Sequence, residues 1–246
     1  MDESQLFEIH AFTGFTYSKY NHFKLFKHFR YDIELYGREV DPIKQPIKTY
    51  QDLLIFAYLK NNIKPGSRIL EIGGGNSRII RHFCTTYECW NIDKLKECGN
   101  GPTEIPILGF RLVKDYIGNF NNELPDNYFD FVFSISALEH VPDNNAVLFD
   151  NINRDMSRVL KRGGLSLHCF DIVIKKDNSI WTNKLLPYLF EKTLPINSFI
   201  PFKNMLDDPD IFFISKEAYD NFAKRHTKKE YEEFGKLMSY NILWVL

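Results

Sequence analysis

The stretch Arg68-Ile69-Leu70-Glu71-Ile72-Gly73-Gly74-Gly75-Asn76-Ser77-Arg78 is the most informative part of the chain, because an apolar strand that carries an acid runs directly into a glycine turn. Glycine is needed where the backbone takes a positive φ or where a ligand approaches it to contact distance. A helix that begins after such a turn points unpaired N–H groups at a bound anion. The stretch therefore predicts a strand, a cofactor-binding turn and a helix.

Two further acids follow the turn at equal spacing. Asp93 lies 22 residues after Glu71, and Asp115 lies 22 residues after Asp93. This spacing is typical of successive strand–helix units, whose parallel strands end at one edge of a sheet. We therefore expect an α/β fold in which three carboxylates meet at that edge.

The chemistry of these positions suits an amino-acid tail joined to a nucleoside. Glu71 can accept a hydrogen bond from an ammonium group, and the amides of residues 75–78 suit a carboxylate. Asp93 can hold both hydroxyls of a ribose. A nicotinamide dinucleotide is the alternative, but its Gly-x-Gly-x-x-Gly pattern would need a glycine where Arg78 stands and has no use for Glu71.

From about residue 50 to residue 170 the chain resembles the class I S-adenosylmethionine-dependent methyltransferases of the small-molecule type. Five segments carry the resemblance in the family's order: residues 70–75, 90–93, 113–116, 124–141 and 158–165. The first contains the acid and the glycines, and the next two each contain an acid, Asp93 and Asp115. The chain departs from the family at Ser77, where a third glycine is common.

The resemblance implies a Rossmann-like, seven-stranded, mostly parallel sheet with helices on both faces and an antiparallel last strand. It implies S-adenosyl-L-methionine as the cofactor, with Asp93 at the ribose and Asp115 near the adenine amino group. The residues expected to bind this cofactor are Glu71, Gly73, Gly74, Gly75, Asn76, Ser77, Asp93, Lys94, Asp115, Tyr116 and Ser134.

Methyl transfer is an in-line displacement that requires alignment and, for a hydroxyl acceptor, a base. His140 follows the fourth strand and is the best candidate base, although a structural role is the alternative. Asp171 follows the fifth predicted strand and could orient the acceptor. A metal held by Glu139, His140 and Asp171 has no motif spacing behind it, so no metal is predicted. His168, within that strand, is expected to be a core histidine.

An aromatic segment precedes the cofactor motifs, so we expect residues 1–48 to form an N-terminal cap on a domain of residues 49–246. The rings around Gly14 suit a mobile lid or the core equally, whereas Phe23, Phe26 and Phe29 have helical spacing and favour the core. Further predicted elements are helices over 20–36 and from 49 or 51 to 61, an insertion at about 171–204 with a helix near 181–191, a strand over 210–215, a charged helix over 216–236 and a strand over 240–246.

Composition limits the function. The 246 residues carry a formal net charge of −1, which argues against a broad nucleic-acid surface. No apolar run has the length of a membrane span, and the acidic N-terminus is unlike a signal peptide. Cys84, Cys89, Cys98 and Cys169 form no C-x-x-C pair, so free thiols in a cytoplasmic protein are expected.

The sequence therefore predicts a methyltransferase that modifies an oxygen or nitrogen of a small-molecule acceptor, such as a sugar or a secondary metabolite, and that can form a homodimer. A non-catalytic partner subunit is one alternative, and an enzyme acting on RNA or protein is another.

Overall fold

The computed structural model describes residues 9–95 and 102–246. Its central feature is a seven-stranded sheet with a buried apolar cluster on each face. The strands are β1 (Arg68–Ile72), β2 (Glu88–Ile92), β3 (Phe110–Val113), β4 (Phe129–Ile135), β5 (Leu160–Ile174), β6 (Ile180–Trp181) and β7 (Lys236–Val245). The helices are α1 (Tyr20–His28), α2 (Tyr31–Tyr36), α3 (Ile47–Asn62), α4 (Arg78–Phe83), α5 (Ala146–Val159), α6 (Leu185–Lys192), α7 (Phe202–Leu206), α8 (Lys216–Phe222), α9 (Lys224–Thr227) and α10 (Tyr231–Phe234).

The sheet has the order β3-β2-β1-β4-β5, with parallel pairing throughout this part. β7 runs antiparallel along β5 from Leu165 to Ile174, and β6 forms a short antiparallel hairpin with the end of β5. The carboxyl ends of β1, β2 and β4 therefore meet at one edge, where the sheet order reverses and where ligands bind in folds of this class. The expected mostly parallel sheet with an antiparallel last strand is confirmed.

The helices on the two faces of the sheet are buried to different extents. Residues 49–59 of α3 are all buried, because α3 lies between the sheet and the N-terminal helices. On the other face α5 buries Phe149, Ile152, Met156 and Val159, which follow the three- and four-residue spacing of one helix face.

The N-terminal segment belongs to this core and to the sheet edge. Phe12 and Phe15 are buried in the cluster around α3. Ser18 N donates to Ser239 O at 3.0 Å, and Asn241 N donates to Thr16 O at 2.7 Å, so residues 16–18 lie along the outer edge of β7. The packing favours the core role for these rings, and the division at residue 48 stays a prediction.

Several expected elements differ in the structure. The helix predicted over 20–36 is two helices, because Arg30 adopts a left-handed φ of 57° between them. The next helix begins at Ile47 after Pro46, two residues before the earlier of its two predicted starts. β5 and β7 are longer than predicted, since each pairs with the other along ten residues. No helix lies between β3 and β4, so the strand–helix alternation inferred from the acid spacing is incomplete.

The carboxyl-terminal third differs most. Residues 210–215 form no strand, and Ile211 makes only an isolated bridge to Lys19. The sixth strand is Ile180–Trp181, at the start of the region predicted as helix near 181–191, and that helix is present as α6. The charged helix predicted over 216–236 is three short helices: the first break lies at Ala223, and the second lies at Lys228, which takes a left-handed φ of 54°. Among the residues that the structure describes, no helix has the length and apolar character needed to cross a membrane.

Candidate cofactor and acceptor site

A cleft of about 1310 Å³ opens at the carboxyl edge of the sheet. Residues from the glycine turn, the ends of β2 and β3, the turn after β4 and the end of β5 line it. The predicted site residues that it brings together are Gly73, Gly74, Gly75, Asn76, Asp93, Lys94, Asp115, Tyr116, His140 and Asp171. Glu71, Ser77 and Ser134 lie outside its lining.

The glycine turn is held by β2. Gly73 and Gly75 have φ values of +67° and +50°, which side-chain-bearing residues adopt at a cost. Gly74 N donates to Asn91 Oδ1 at 3.1 Å, and Asn91 Nδ2 donates back to Gly75 O at 3.1 Å. Sequence reasoning missed Asn91, although its place two residues before Asp93 on a buried strand is an available signal.

Gly73 and Gly74 are also glycines for steric reasons. A Cβ on Gly73 would lie 2.6 Å from Ala137 Cβ, and a Cβ on Gly74 would lie 2.7 Å from Glu71 Cδ. The turn is therefore packed directly against the Glu71 carboxyl group on one side and the turn after β4 on the other.

Glu71 is buried beneath the turn with 1% of its surface exposed, and its Oε2 has no hydrogen-bond partner among residues 9–95 and 102–246. Burial raises its pKa to about 7, while the Ser77 hydroxyl and the Lys48 charge oppose the shift. A buried carboxyl oxygen without a donor is uncommon in folded proteins. This oxygen is therefore suited to a cationic donor supplied by a ligand.

Asp93 and Asp115, which follow β2 and β3, are each held in place by hydrogen bonds from nearby donors. Asp93 accepts hydrogen bonds from Gly75 N at 2.8 Å and from Leu95 N at 2.7 Å. Asp115 accepts bonds from Tyr116 N and from two asparagine side chains, Asn119 and Asn121. Burial acts to raise the pKa of Asp115, but these bonds outweigh it and the net pKa is lowered. Asp115 is thus held as an anion at the cleft.

Two predicted cofactor contacts are engaged elsewhere. Ser77 Oγ accepts from Ile80 N at 3.1 Å and caps α4. Ser134 Oγ lies 2.8 Å from Nδ1 of His168, which is fully buried, so this hydroxyl is used between strands and does not reach the cleft. Burial lowers the pKa of His168 to about 3, in accord with a core histidine. Ser136 lines the cleft instead of Ser134.

A second group of acids lies at the turn after β4 and the end of β5. Asp171 Oδ1 accepts from Ser136 Oγ at 2.8 Å and from Gln51 Nε2 at 2.9 Å. Burial raises the pKa of Asp171, and the two hydrogen bonds together with the charges of His140 and Lys48 oppose that shift. His140 is exposed at the cleft wall at the end of a short 3-10 helix (Leu138–His140).

Glu139 also lines the cleft, yet only 4% of it is exposed and neither carboxyl oxygen has a hydrogen-bond partner in the described parts of the chain. Burial and the nearby Asp171 charge raise its pKa well above the ordinary value. The backbone amides of Glu139 and Asp171 oppose that shift weakly, without forming well-aligned bonds. Sequence reasoning named Glu139 only as a metal ligand, because unmet hydrogen bonding cannot be read from sequence.

The far end of the cleft is apolar with a basic rim. Its apolar wall includes Trp181, Ile214, Phe222, Phe234 and Leu237. Its rim carries Lys175, Lys229 and His226, whereas the charge of Lys48 acts on Glu71 and Asp171. The charged run 224–230 is mostly exposed, and three of its residues also line this cleft: His226, Thr227 and Lys229.

Within residues 9–95 and 102–246, no group of three or more histidine, cysteine, aspartate or glutamate side chains is arranged to hold a metal ion. Cys84, Cys89 and Cys169 are free thiols, and the predicted free thiol of Cys98 lies outside the described residues.

Residues 70–167 match the family model described as a methyltransferase domain. A sterol 24-C-methyltransferase of Yarrowia lipolytica is 32% identical over 113 residues, which are 43% of this chain and 28% of that protein. A ubiquinone/menaquinone biosynthesis C-methyltransferase of Cupriavidus metallidurans is 26% identical over 147 residues, which are 56% of this chain and 58% of that protein.

Among solved structures, the Haemonchus contortus phosphoethanolamine N-methyltransferase 2 superposes with a TM-score of 0.51 at 18% identity, covering 88% of this chain and 56% of that one. At this identity the likeness is one of fold. The chain spans between 28% and 58% of the length of the two curated relatives. The order of its motifs, its sheet and the match of residues 70–167 support a class I S-adenosylmethionine-dependent methyltransferase with a Rossmann-like fold.

Proposed function

We propose that the chain binds S-adenosyl-L-methionine and transfers its methyl group to an oxygen or nitrogen of a small-molecule acceptor. The observation that carries the proposal is the buried Glu71 with its unpartnered Oε2, directly beneath a glycine turn. A nicotinamide dinucleotide has no ammonium group to donate to this oxygen, whereas the methionine tail of S-adenosylmethionine carries one.

The residues present fit the cofactor. Glu71 would receive the ammonium group, the amides of the glycine turn the carboxylate, and Asp93 the ribose hydroxyls. Asp93 keeps lone pairs for this task, because a carboxylate offers about four acceptor sites and backbone amides use two. Apolar side chains between Asp93 and Asp115 provide a surface for adenine: Ile92, Ile117, Leu138, Leu148 and Ile152.

When bound, S-adenosylmethionine supplies an electrophilic methyl group on a sulfonium. The chain must then place the acceptor nucleophile in line and exclude water. Asp171, fixed by Ser136 and Gln51, would orient the acceptor, and the exposed His140 would carry its proton toward solvent. The apolar far wall would hold the body of the acceptor.

The names of the relatives support a small-molecule acceptor. They describe methyltransferases of sterols, of quinone precursors and of phosphoethanolamine. The size of the cleft agrees, since a volume of about 1310 Å³ accommodates the cofactor and an acceptor together. We further propose a cytoplasmic location, which suits the free thiols. The homodimer stays a prediction.

Calorimetry of the purified protein with S-adenosylmethionine and S-adenosylhomocysteine tests the cofactor, with NADH as the competing ligand. We expect both adenosyl ligands to bind and NADH not to bind. A screen with methyl-labelled S-adenosylmethionine and amine, hydroxyl and carbon acceptors then tests the reaction. Binding of NADH in place of the adenosyl ligands would contradict the proposal.

A further inference from the structure

The carboxyl group of Glu139 is the strongest unexplained feature of the cleft. Only 4% of the residue is exposed, it lines the cleft, and both oxygens lack a hydrogen-bond partner among the residues described. A buried polar group without a partner costs free energy, so a native structure that keeps one requires an explanation. A ligand that donates to both oxygens would provide it.

The surroundings of Glu139 identify the charge of that ligand. Asp171 is the nearest source of negative charge, and both of its hydrogen bonds end on Oδ1, so Oδ2 remains available. Gln51 is itself anchored, since its Nε2 lies 3.1 Å from Ser239 Oγ. Two basic side chains lie near Glu139 and Asp171. They are Lys48 on α3 and His140, and both are exposed. Cys169 nearby is a buried thiol whose pKa is raised, so it brings no compensating charge.

We propose that Glu139 and Asp171 form the acceptor subsite and that the acceptor is a primary or secondary amine, bound as its ammonium ion. The inference rests on the proposed function and narrows its acceptor from oxygen or nitrogen to nitrogen. An ammonium brings a positive charge and two or three donors, which match the empty oxygens of Glu139 and Asp171. An alcohol brings one donor and no charge, and a carbon nucleophile brings neither.

The far wall indicates what the amine is attached to. Trp181, Phe222 and Phe234 present aromatic surface in the same cleft. Aromatic faces attract cations and pack apolar groups. The acceptor class is therefore an amine that carries an aromatic or aliphatic body.

The subsite also accounts for the proton that the ammonium must lose before its nitrogen can be methylated. Burial and the Asp171 charge favour the protonated form of the Glu139 carboxyl in the free protein. On binding an ammonium, this carboxyl releases its proton to solvent and becomes the paired carboxylate. Before methylation the nitrogen returns one N–H proton to this carboxylate, which leaves a neutral amine with a free lone pair beside a neutral carboxyl. Glu139 thus serves as both the binding group and the base, and no other reactant is needed.

Calorimetry on the protein saturated with S-adenosylhomocysteine tests the subsite, with benzylamine and benzyl alcohol as matched probes. We expect benzylamine to bind about tenfold more tightly or better, and to release a proton, seen as a dependence of the heat on the ionisation enthalpy of the buffer. Glu139→Gln should abolish the tenfold preference and the proton release. Glu123→Gln, at an exposed carboxyl outside the cleft, should change neither.

The outcomes separate this inference from the proposed function. Failure of the wild-type protein to bind S-adenosylhomocysteine contradicts the proposed function. Normal binding of S-adenosylhomocysteine with equal affinity for amine and alcohol overturns only the amine subsite. A Glu139→Gln variant that loses affinity for S-adenosylmethionine but not for S-adenosylhomocysteine also overturns it, because Glu139 would then face the sulfonium. Should Glu139→Gln not fold, Asp171→Asn must lower the affinity for the amine and leave that for the alcohol unchanged, or the proposal fails.

Discussion

Glu71 makes the stability of the free protein depend on pH. Its folded-state pKa is raised to about 7 by burial, so between the unfolded value of 4.5 and about 7 the folded state binds the proton more tightly than the unfolded chain. The stabilising contribution is fully present below the unfolded value and is lost as the pH rises through about 7. The shift corresponds to roughly 3 kcal/mol.

We therefore expect Glu71→Gln to stabilise the free protein above neutral pH and to flatten the fall in stability between mildly acidic and alkaline pH. Urea unfolding across that pH range measures the effect. Glu123→Gln is the matched control, since its carboxyl is exposed, and its pH profile should follow the wild type. Parallel profiles for Glu71→Gln and the wild type would contradict the prediction.

Asp93 tests the nucleoside end of the cleft. Asp93→Ala should weaken S-adenosylhomocysteine binding by about 1.5 to 3 kcal/mol for each lost ribose bond, because the acceptor is charged. The variant also frees Gly75 N and Leu95 N, which Asp93 now holds. Calorimetry measures the loss, and Asp207→Ala, at an exposed residue outside the cleft, should bind normally. Unchanged affinity in a folded Asp93→Ala variant would place the ribose elsewhere.

For single residues, the sequence predicted which glycines and acids line the cleft better than it predicted which hydroxyl groups do. Gly73, Gly75, Asp93 and Asp115 could be predicted because backbone requirements and strand ends leave a pattern in sequence. Ser134 could not, since its orientation depends on its partner His168 on a neighbouring strand. Hydrogen-bond partners far apart in the chain leave no local signal.

The turn between β1 and α4 combines backbone strain with a position in the wall of the cleft, and a glycine elsewhere in the chain separates the two effects. Gly75 and Gly163 both have positive φ, but only Gly75 lines the cleft, and nothing lies within 4 Å of a Cβ built on Gly163. We expect both Gly75→Val and Gly163→Val to lose stability from strain, with a further loss in Gly75→Val because its Cβ would lie 3.1 Å from Pro102 Cδ. Only Gly75→Val should lose S-adenosylhomocysteine binding.

Calorimetry and thermal unfolding followed by circular dichroism check both variants. If Gly75→Val binds as well as Gly163→Val does, the cofactor does not approach this turn.

Elements with a strong motif or period were predictable, and elements set by distant contacts were not. β1 and β2 begin and end close to their predicted bounds, because buried strand and turn chemistry are local. Arg30 and Lys228 adopt left-handed conformations, which break the chain before α2 and after α9. The identities of these two side chains do not indicate such a conformation, so the breaks could not be predicted. The charge run 224–230 likewise gave no sign that it faces a cleft.

In the whole molecule, the N-terminal segment fills the core beside α3. Phe12 is fully buried and packs edge-on against Tyr58 with ring centroids 4.9 Å apart. Phe12→Ala should lower the free energy of unfolding by about 3 to 5 kcal/mol. Phe199→Ala, at a ring that is 38% exposed, should cost much less.

Denaturant unfolding compares the two variants. Equal losses, or a Phe12→Ala variant that keeps full stability but loses acceptor binding, would favour the mobile lid over the core.

Residues 16–18 also cover a strand edge of β7 that could otherwise pair with another copy of the chain. β7 is a ten-residue, mostly buried strand, and residues 16–18 occupy backbone groups on its outer side. An uncovered strand edge of this kind is a template for pairing with another chain. A copy cleaved after residue 18 would leave the backbone groups of Ser239 and Asn241 uncovered, so we expect proteolysis there to promote strand pairing between copies.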